Sequence, residues 1–312
     1  MKIVFLDRKS IGEDWDESEF KRFGELIKYD FSTVEEASKR TEDADIIVVN
    51  KVPINENTIG LAKHLKLVCV TATGTNNLDK KYLEERGIQW RNVAGYSTES
   101  VTQHTFAMLF YLLEHLAYYD RYVKSGTYAE DRLFTHYSNI FHELNGKTFG
   151  IIGLGAIGRR VADIAKAFGC KVIYYSTSGK HHDEEYCEVD FDTLLTISDI
   201  ISIHAPLTEN TMHLMDAEAF HKMKKSAILL NAGRGAIIVE KDLREALDNE
   251  EIAAAGLDVL DEEPMAKDSP FYGYQNSDKL LITPHIAWAA IESRQRLMHI
   301  IANQIQEFLT DK

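Results

Sequence analysis

Short runs rich in β-branched residues alternate with longer amphipathic stretches along most of the chain. This alternation is typical of a parallel sheet, because each parallel strand needs a crossover connection, usually a helix, to reach the next strand. The short runs predict a first series of strands at 2–6, 45–50 and 66–71. They predict a second series at 148–152, 171–175, 200–203, 227–231, 254–258 and 280–283. We therefore expect an α/β protein with two doubly wound parallel-sheet domains and a cleft between them.

The stretch between the two series has a helical pattern. Ser100–Gln103 has the spacing of a capping box, and apolar residues recur at helical spacing over Val101–Leu116. We predict one long helix here, which carries the chain from the first domain into the second. Its apolar face is either part of the core or a subunit interface. The C-terminal segment is also helical in pattern and is expected to return to the first domain. The predicted domains are residues 1–99 completed by 287–312, and residues 100–286.

The composition excludes several classes of partner. The chain has 312 residues, with 49 acidic against 35 basic side chains and a formal net charge of -14. This charge repels phosphate backbones and anionic membrane surfaces, so we expect no nucleic acid and no membrane partner. The three cysteines are odd in number and show no CxxC spacing, which favours free thiols in the cytoplasm and no metal site. A small anionic substrate then requires a local positive charge.

A glycine-rich turn follows the predicted strand at 148–152 and opens a predicted helix at 159–168. Its residues are Gly153, Leu154, Gly155, Ala156, Ile157 and Gly158. Glycines at these positions permit a tight turn, and they let backbone N–H groups at the helix N-terminus approach a pyrophosphate. In this strand–turn–helix context the motif predicts a Rossmann-type dinucleotide-binding domain.

The position that distinguishes NAD(H) from NADP(H) lacks an acidic residue. In an NAD-binding fold, a carboxylate about 20 residues after the glycines holds the ribose 2′-hydroxyl. Here that position is Ser176, and Lys180, His181 and His182 follow it. We therefore expect NADP(H) or both cofactors to be used. An NAD(H) site with a weaker hold on the ribose is the alternative.

Three polar groups lie just after three different strands of the second series. They are Arg234, the acidic run Asp261–Glu263 before Pro264, and His285. Because parallel strands end at one edge of the sheet, these groups should meet there. Carbonyl reduction needs a cation on the carboxylate and carbonyl, an acid for the new alkoxide, and a carboxylate that orients this acid. The three residue types match these needs.

Five other segments add a specific pattern in chain order. They are Thr73–Asp79, Leu229–Gly235, Ala255–Val259 with Glu262–Pro264, and Thr283–Ile286. Together with the glycine turn they resemble the D-isomer specific 2-hydroxyacid dehydrogenase family, over essentially the whole chain. The resemblance implies that Arg234 holds the substrate carboxylate and carbonyl, that His285 is the acid–base, and that Glu263 pairs with His285. It also implies a homodimer.

The same resemblance implies further binding residues. The substrate carboxylate is expected on the backbone amides of Thr73, Gly74 and Thr75. Cofactor contacts beyond the glycine turn and Ser176 are expected at Ala205, Pro206, Ala232, Gly233, Arg234, Asp258 and His285. Among these, Asp258 is expected near the nicotinamide amide.

Within the family, Asn50–Pro53 and His285–Trp288 most resemble the hydroxypyruvate reductase (glycerate dehydrogenase) branch. Lys51 either adds positive charge at the substrate pocket or is a solvated lysine at a strand end. Trp288 either shortens the pocket or packs between domains or subunits. The expected function is NAD(P)H-dependent reduction of a small 2-keto acid, hydroxypyruvate or glyoxylate, to the D-2-hydroxy acid, and the reverse. The alternatives are a larger or aromatic keto acid as substrate, and a nicotinamide-sensing interaction protein of corepressor type.

Overall fold

The computed structural model describes residues 1–179, 182–276 and 278–310. The chain forms two units, of which the first contains residues 1–97 and 288–312 and the second contains residues 98–287. These boundaries lie within two residues of the predicted ones. The first unit is therefore built from both ends of the chain.

The first unit contains a five-stranded parallel sheet with short helices in its connections. Its elements in chain order are β1 (Lys2–Phe5), α1 (Ser18–Lys21), β2 (Glu25–Lys28), α2 (Val34–Arg40), β3 (Ile46–Val49), α3 (Glu56–Ile59), β4 (Leu67–Val70), α4 (Lys80–Glu85) and β5 (Gln89–Arg91). The strand order is β2-β1-β3-β4-β5. Strands β1, β3 and β4 confirm the three predicted runs. The pattern does not predict β2 and β5, because these edge strands are partly exposed and lack a continuous apolar run.

The second unit contains a seven-stranded parallel sheet. Its elements in chain order are α5 (Thr98–Leu113), α6 (Leu116–Lys124), β6 (Thr148–Ile152), α7 (Ala156–Ala167), β7 (Lys171–Tyr175), β8 (Cys187–Glu188), α8 (Phe191–Ile197), β9 (Ile200–Ile203), α9 (Ala217–Lys222), β10 (Ile228–Asn231), α10 (Glu240–Asp248), β11 (Ala254–Leu257) and β12 (Leu280–Ile282). The strand order is β12-β11-β10-β9-β6-β7-β8, so the direction of winding reverses between β6 and β9. The six predicted strands are confirmed, and within the described residues of this unit the two-residue edge strand β8 is the one addition. In sheets of this kind ligands bind at the carboxyl ends of the strands beside the reversal.

The predicted long helix is wrong in its length and in its cap. Helix α5 ends at Leu113, and α6 begins after His115, which has a left-handed backbone conformation with a φ of 51°. Ser100 lies inside the first turn of α5, and its Oγ donates a hydrogen bond to the carbonyl oxygen of Ala287 at 2.5 Å. Its side chain is therefore used to hold another segment of the same unit. The buried face of α5 packs on β10 and β11, so its apolar pattern belongs to the core.

The last helix, α11 (Ile291–Thr310), belongs to the first unit. Its residues Leu297, Ile301 and Ile305 are fully buried among core residues of β1 and β3. The C-terminal segment therefore completes the hydrophobic core of the first unit.

Candidate active site

The glycine turn between β6 and α7 lies where the second sheet reverses its winding. Gly153 has a φ of 92°, and a Cβ on it would lie 2.8 Å from the Cα of Ala205. A Cβ on Gly158 would lie 2.3 Å from the carbonyl oxygen of Gly153. The packing of the turn itself therefore requires both glycines.

Gly155 differs from these two glycines. A Cβ on it would meet no atom within 4 Å, and its φ of -81° suits any residue. Gly155 is the exposed N-cap residue of α7, and Ala156 and Ile157 form the first turn of this helix. The packing of the protein gives no reason for a glycine here, whereas a phosphate group close to the N-terminus of α7 does. The turn therefore fits the pyrophosphate of a dinucleotide.

The ends of β9 and β10 carry the next predicted cofactor residues. Ala205 and Pro206 follow β9; Ala205 is buried under the glycine turn and Pro206 is exposed. Ala232 and Gly233 follow β10, and the Gly233 N–H donates a hydrogen bond to Oδ1 of the buried Asn231 at 3.0 Å. These residues lie along the same carboxyl edge of the sheet as the glycine turn.

The segment after β7 contains the predicted ribose-binding position. Ser176 directly follows β7 and is partly buried. Lys180 and His181 lie outside the described residues. The side chain of His182 is exposed, and its Nδ1 lies 2.6 Å from Oε2 of Glu188. Of the three basic residues that follow Ser176, the described one, His182, is therefore already paired with a carboxylate.

Arg234 follows β10 at the same edge of the sheet. The turn that carries it is set by Asn231, whose Nδ2 donates to the Arg234 carbonyl oxygen at 3.0 Å. It also depends on Gly235, where a Cβ would lie 1.9 Å from the carbonyl carbon of Leu260. The Arg234 side chain donates from Nη1 to the carbonyl oxygen of Gly233 at 2.8 Å. Within the described part of the chain it forms no ion pair, so its charge remains available to a substrate carboxylate.

His285 and Glu263 form a hydrogen-bonded pair. His285 Nδ1 lies 2.6 Å from Glu263 Oε2, and Glu263 Oε1 accepts a hydrogen bond from the Leu260 N–H at 3.0 Å. Because an ionised carboxylate only accepts hydrogen bonds, the proton lies on Nδ1, and Nε2 is the nitrogen left to contact a substrate. His285 has a φ of 55°, in the left-handed region that is uncommon for residues with a side chain. Backbone strain of this kind is concentrated at functional sites.

The buried carboxylate of Asp258 holds the loop that carries His285. Its Oδ1 accepts hydrogen bonds from the Thr283 hydroxyl at 2.6 Å and the Ile286 N–H at 2.9 Å, and its Oδ2 accepts one from the Ala287 N–H at 2.8 Å. The carbonyl oxygen of Asp258 also accepts a hydrogen bond from the His285 N–H at 2.8 Å. The structure thus gives Asp258 a role in positioning His285 that the sequence pattern does not reveal.

His104 on α5 extends this network. Its Nε2 lies 3.0 Å from Oγ1 of Thr283. Because the Thr283 hydroxyl donates its proton to Asp258, its oxygen accepts a hydrogen bond from His104, which places a proton on Nε2. His104 and Thr283 are absent from the predicted site, since 179 residues separate them and no pattern distinguishes His104 among the 12 histidines.

In the first unit, the predicted substrate residues follow the neighbouring strands β3 and β4. Lys51 lies two residues after β3 and is exposed. Thr73, Gly74 and Thr75 follow β4. Their backbone N–H groups have no hydrogen-bond partner among the described residues. Three successive backbone donors of this kind suit an anionic group such as a carboxylate.

Trp288 also lies in the first unit. Its ring packs edge-on against Tyr96, with ring centroids 6.4 Å apart and an interplanar angle of 68°. It is partly buried and borders the core that α11 completes. This contact accounts for a large aromatic side chain at this position, and a role in the pocket stays a prediction.

Two broader features bear on partners. No helix in the described ranges is long and apolar enough to cross a membrane. The same ranges contain no group of three or more His, Cys, Asp or Glu side chains that could hold a metal ion.

Sequence comparison finds relatives over the whole chain. Residues 106–287 match the family described as "D-isomer specific 2-hydroxyacid dehydrogenase, NAD binding domain". The chain is 39% identical over 315 residues to a hydroxypyruvate reductase of Blautia hydrogenotrophica, covering 99% of this chain and 97% of that protein. It is 35% identical over 312 residues to a glycerate dehydrogenase of Methylorubrum extorquens, covering 100% of this chain and 97% of that protein.

Solved structures show the same fold. An acyclic imino acid reductase in complex with NADPH and D-Arg superposes with a TM-score of 0.89 at 31% identity, covering 100% of this chain and 98% of that one. A D-lactate dehydrogenase from Aquifex aeolicus, complexed with NAD and lactic acid, superposes with a TM-score of 0.86 at 27% identity, covering 100% and 96%. Both neighbours bind a nicotinamide dinucleotide, in agreement with the glycine turn of this chain.

Proposed function

Because the chain belongs to the D-isomer specific 2-hydroxyacid dehydrogenase family, we propose that it reduces hydroxypyruvate or glyoxylate to the D-2-hydroxy acid with NAD(P)H, and catalyses the reverse reaction. The observation that carries this proposal is the 2.6 Å hydrogen bond between His285 and Glu263. These residues and Arg234 follow three neighbouring strands, β10, β11 and β12. The relatives named hydroxypyruvate reductase and glycerate dehydrogenase support the choice of a small substrate.

The roles follow from the chemistry of the three side chains. The bound nicotinamide supplies the hydride for the carbonyl carbon. Arg234 neutralises the substrate carboxylate and polarises the carbonyl through its forked guanidinium. Protonated His285 donates its Nε2 proton to the carbonyl oxygen as that atom becomes negative, while Glu263 holds the Nδ1 proton and stabilises the imidazolium. In the reverse direction, neutral His285 accepts the hydroxyl proton at Nε2.

The first unit contributes anion-binding groups in this proposal. The N–H groups of Thr73, Gly74 and Thr75 have no partner within the described ranges, and the family resemblance assigns them to the substrate carboxylate. Lys51 adds positive charge to a chain whose net charge is -14. A local cation of this kind attracts an anionic substrate that the protein as a whole repels.

The cofactor is assigned to the glycine turn and the neighbouring strand ends. Gly155 and the N-terminus of α7 suit the pyrophosphate. The other assigned contacts are Ala205, Pro206, Ala232, Gly233 and Asp258. With Ser176 in place of an acidic residue, no carboxylate at this position repels a 2′-phosphate, which supports the use of NADPH as well as NADH.

A cytoplasmic homodimer completes the proposal. Four large apolar side chains between residues 116 and 141 are strongly exposed: Leu133 at 65%, Phe134 at 89%, Tyr137 at 71% and Ile140 at 76%. Clustered apolar exposure of this extent is typical of an interface, and a self-complementary patch closes into a two-fold dimer. Light scattering should give twice the chain mass, and Phe134→Asp with Ile140→Asp should give the monomer. A monomeric wild type would contradict the dimer.

Turnover of a panel of 2-keto acids with NADH and with NADPH tests the function. We expect hydroxypyruvate and glyoxylate to exceed phenylpyruvate in kcat/KM, and chiral chromatography to show the D-product. His285→Ala is the control, since it should lose several orders of magnitude in kcat while it retains nucleotide binding.

Each other outcome points to a different reading. Nucleotide binding without turnover of any 2-keto acid would favour the interaction protein. A preference for phenylpyruvate would favour the larger substrate. An L-product would contradict both the assigned reaction and the mechanism.

A further inference from the structure

Asp7 is a buried carboxylate that the mechanism above does not use. It follows β1, and only 6% of it is exposed. Its oxygens accept hydrogen bonds from three successive backbone N–H groups, those of Asn50 at 2.9 Å, Lys51 at 2.6 Å and Val52 at 3.2 Å. These are the first residues after β3, so the carboxylate fixes how the chain leaves that strand.

The charge of Asp7 is stabilised mainly by backbone N–H groups, with a smaller contribution from the positive charge of Lys51. Asp7 forms no ion pair within the described part of the chain. Burial raises the pKa of Asp7, and its hydrogen bonds with the three N–H groups oppose this change. Burying a carboxylate is unfavourable, but an uncharged Asn or Ser has only one acceptor oxygen, whereas the carboxylate offers two oxygens to the three N–H groups. A charged residue at this position therefore indicates that the loop needs a defined shape.

The segment after β4 is also hydrogen-bonded to the loop that follows β3. The Val52 carbonyl oxygen accepts a hydrogen bond from Nδ2 of Asn77 at 3.2 Å, and the Ile54 N–H donates to the Asn77 carbonyl oxygen at 2.7 Å. The loop with Lys51 and the segment with the free N–H groups of Thr73–Thr75 are therefore hydrogen-bonded neighbours. Together they form one surface at the carboxyl edge of β3 and β4.

The second unit contains the same arrangement. There Asp258, which is 1% exposed, accepts hydrogen bonds from the N–H groups of Ile286 and Ala287 and fixes the loop with His285. In each unit, a buried aspartate at a strand end holds successive backbone N–H groups of a loop. In each unit, that loop carries a side chain assigned to the substrate.

We propose that Asp7 is a positioning residue for substrate binding, which acts by fixing the backbone of Asn50–Val52 and thereby the position of Lys51. This inference rests on the proposed function, in which Lys51 attracts the anionic 2-keto acid. Asp7 itself does not touch the substrate. Its loss therefore weakens substrate binding and leaves cofactor binding and the chemical step nearly unchanged.

The experiment compares Asp7→Asn with Asp45→Asn in the full-length enzyme. Asp45 is a matched control, because its carboxylate also accepts a backbone N–H, from Lys2 at 2.8 Å, but at the opposite end of β1 and β3. We expect Asp7→Asn to raise the KM for hydroxypyruvate by about tenfold, with less than about a twofold change in kcat and in the KM for the reduced nicotinamide. Asp45→Asn should leave all three values within about twofold of the wild type.

Lys51→Ala provides the second arm. It should raise the same KM, and adding Asp7→Asn to it should have little further effect, because both changes remove one interaction. An unchanged KM in either single variant, or additive effects in the double variant, overturns the inference. If Asp7→Asn does not fold, Asp7→Glu keeps the charge but displaces it by one methylene group, and the same comparison applies.

The two proposals fail in distinguishable ways. A wild-type enzyme that turns over no 2-keto acid removes the proposed function and this inference with it. A wild-type enzyme that turns over hydroxypyruvate, combined with an unaffected Asp7→Asn variant, removes this inference alone.

Discussion

Gly155→Ala is predicted to weaken dinucleotide binding while leaving the stability of the protein unchanged. A Cβ at this position meets no atom within 4 Å, and alanine tolerates a φ of -81°. Replacing glycine reduces the entropy of the unfolded chain, which stabilises the fold by about 0.4–1 kcal/mol. Losing glycine at an N-cap position costs a similar amount, about 0.5–1 kcal/mol. Because the two effects offset each other, we expect the Tm to change by less than about 2 °C.

The effect on binding is much larger. The new methyl group lies where a pyrophosphate would approach the N–H groups at the N-terminus of α7. Inserting a methyl group into a filled site costs about 1–3 kcal/mol. This cost corresponds to a roughly 5- to 150-fold higher Kd. Fluorescence titration with NADH and NADPH measures the Kd, and thermal unfolding without cofactor measures the stability.

Gly158→Ala is the matched control. Its Cβ would lie 2.3 Å from the carbonyl oxygen of Gly153, so the turn must open to accommodate it. We expect a loss of about 1–3 kcal/mol in the free energy of unfolding and a lower Tm before any cofactor is added. An unchanged Kd in Gly155→Ala would refute the placement of the pyrophosphate. A large fall in its Tm would show that protein packing explains this glycine after all.

Four further substitutions test the assigned roles. Glu263→Gln should lower kcat by about 10- to 100-fold and leave nucleotide binding intact, because a neutral amide stabilises the His285 imidazolium less well than a carboxylate does. A normal kcat would remove Glu263 from the mechanism. Arg234→Lys should raise KM and lower kcat together, since lysine cannot copy the forked guanidinium; an unchanged kcat/KM would contradict this role. Ser176→Asp should shift the ratio of kcat/KM toward NADH by placing a carboxylate against the 2′-phosphate, and a wild type already selective for NADH would refute the interpretation of the missing acid. If the Trp288 ring forms a wall of the pocket, Trp288→Ala should raise the turnover of phenylpyruvate relative to hydroxypyruvate. If the ring only packs on Tyr96, the same substitution should lower the Tm, through a loss of up to about 3–5 kcal/mol in the free energy of unfolding, and leave the ratio unchanged.

The central strands are predictable from the sequence because they are continuous apolar runs. Every residue of β9 and β10 is buried, and both runs consist mainly of isoleucine and leucine. The edge strands β2, β5 and β8 are only partly buried or exposed, so they have no such run. The helix break at His115 also lacks a signal, since neither glycine nor proline occurs in the adjoining residues. Tertiary packing decides these elements, and their local sequence does not.

The location of the three proposed catalytic residues is predictable for a topological reason. Residues that follow parallel strands meet at one edge of the sheet, so chain order alone places Arg234, the acidic run at 261–263 and His285 there, and the family resemblance selects Glu263 from that run. The groups that fix the loops of the site cannot be predicted from chain order. Asp7 reaches backbone groups 43 to 45 positions away, and His104 lies 179 positions from Thr283. Contacts of that separation follow no periodicity and emerge only once the chain is folded.

The position of an aspartate along the strand direction separates a functional role from a structural one. Asp199 lies at the amino end of the second sheet, where it accepts a hydrogen bond from the Thr148 N–H at 2.8 Å and one from Nζ of Lys224 at 2.9 Å. The bond from the backbone N–H resembles those of Asp258 in length, although Asp199 also forms an ion pair with Lys224. Asp258, however, fixes a loop at the carboxyl edge that carries His285, the proposed acid–base, whereas Asp199 joins the starts of two strands. A backbone hydrogen bond of the same length therefore has different expected consequences at the two ends of the sheet, because at the carboxyl edge a displaced backbone also displaces a group proposed to contact the substrate.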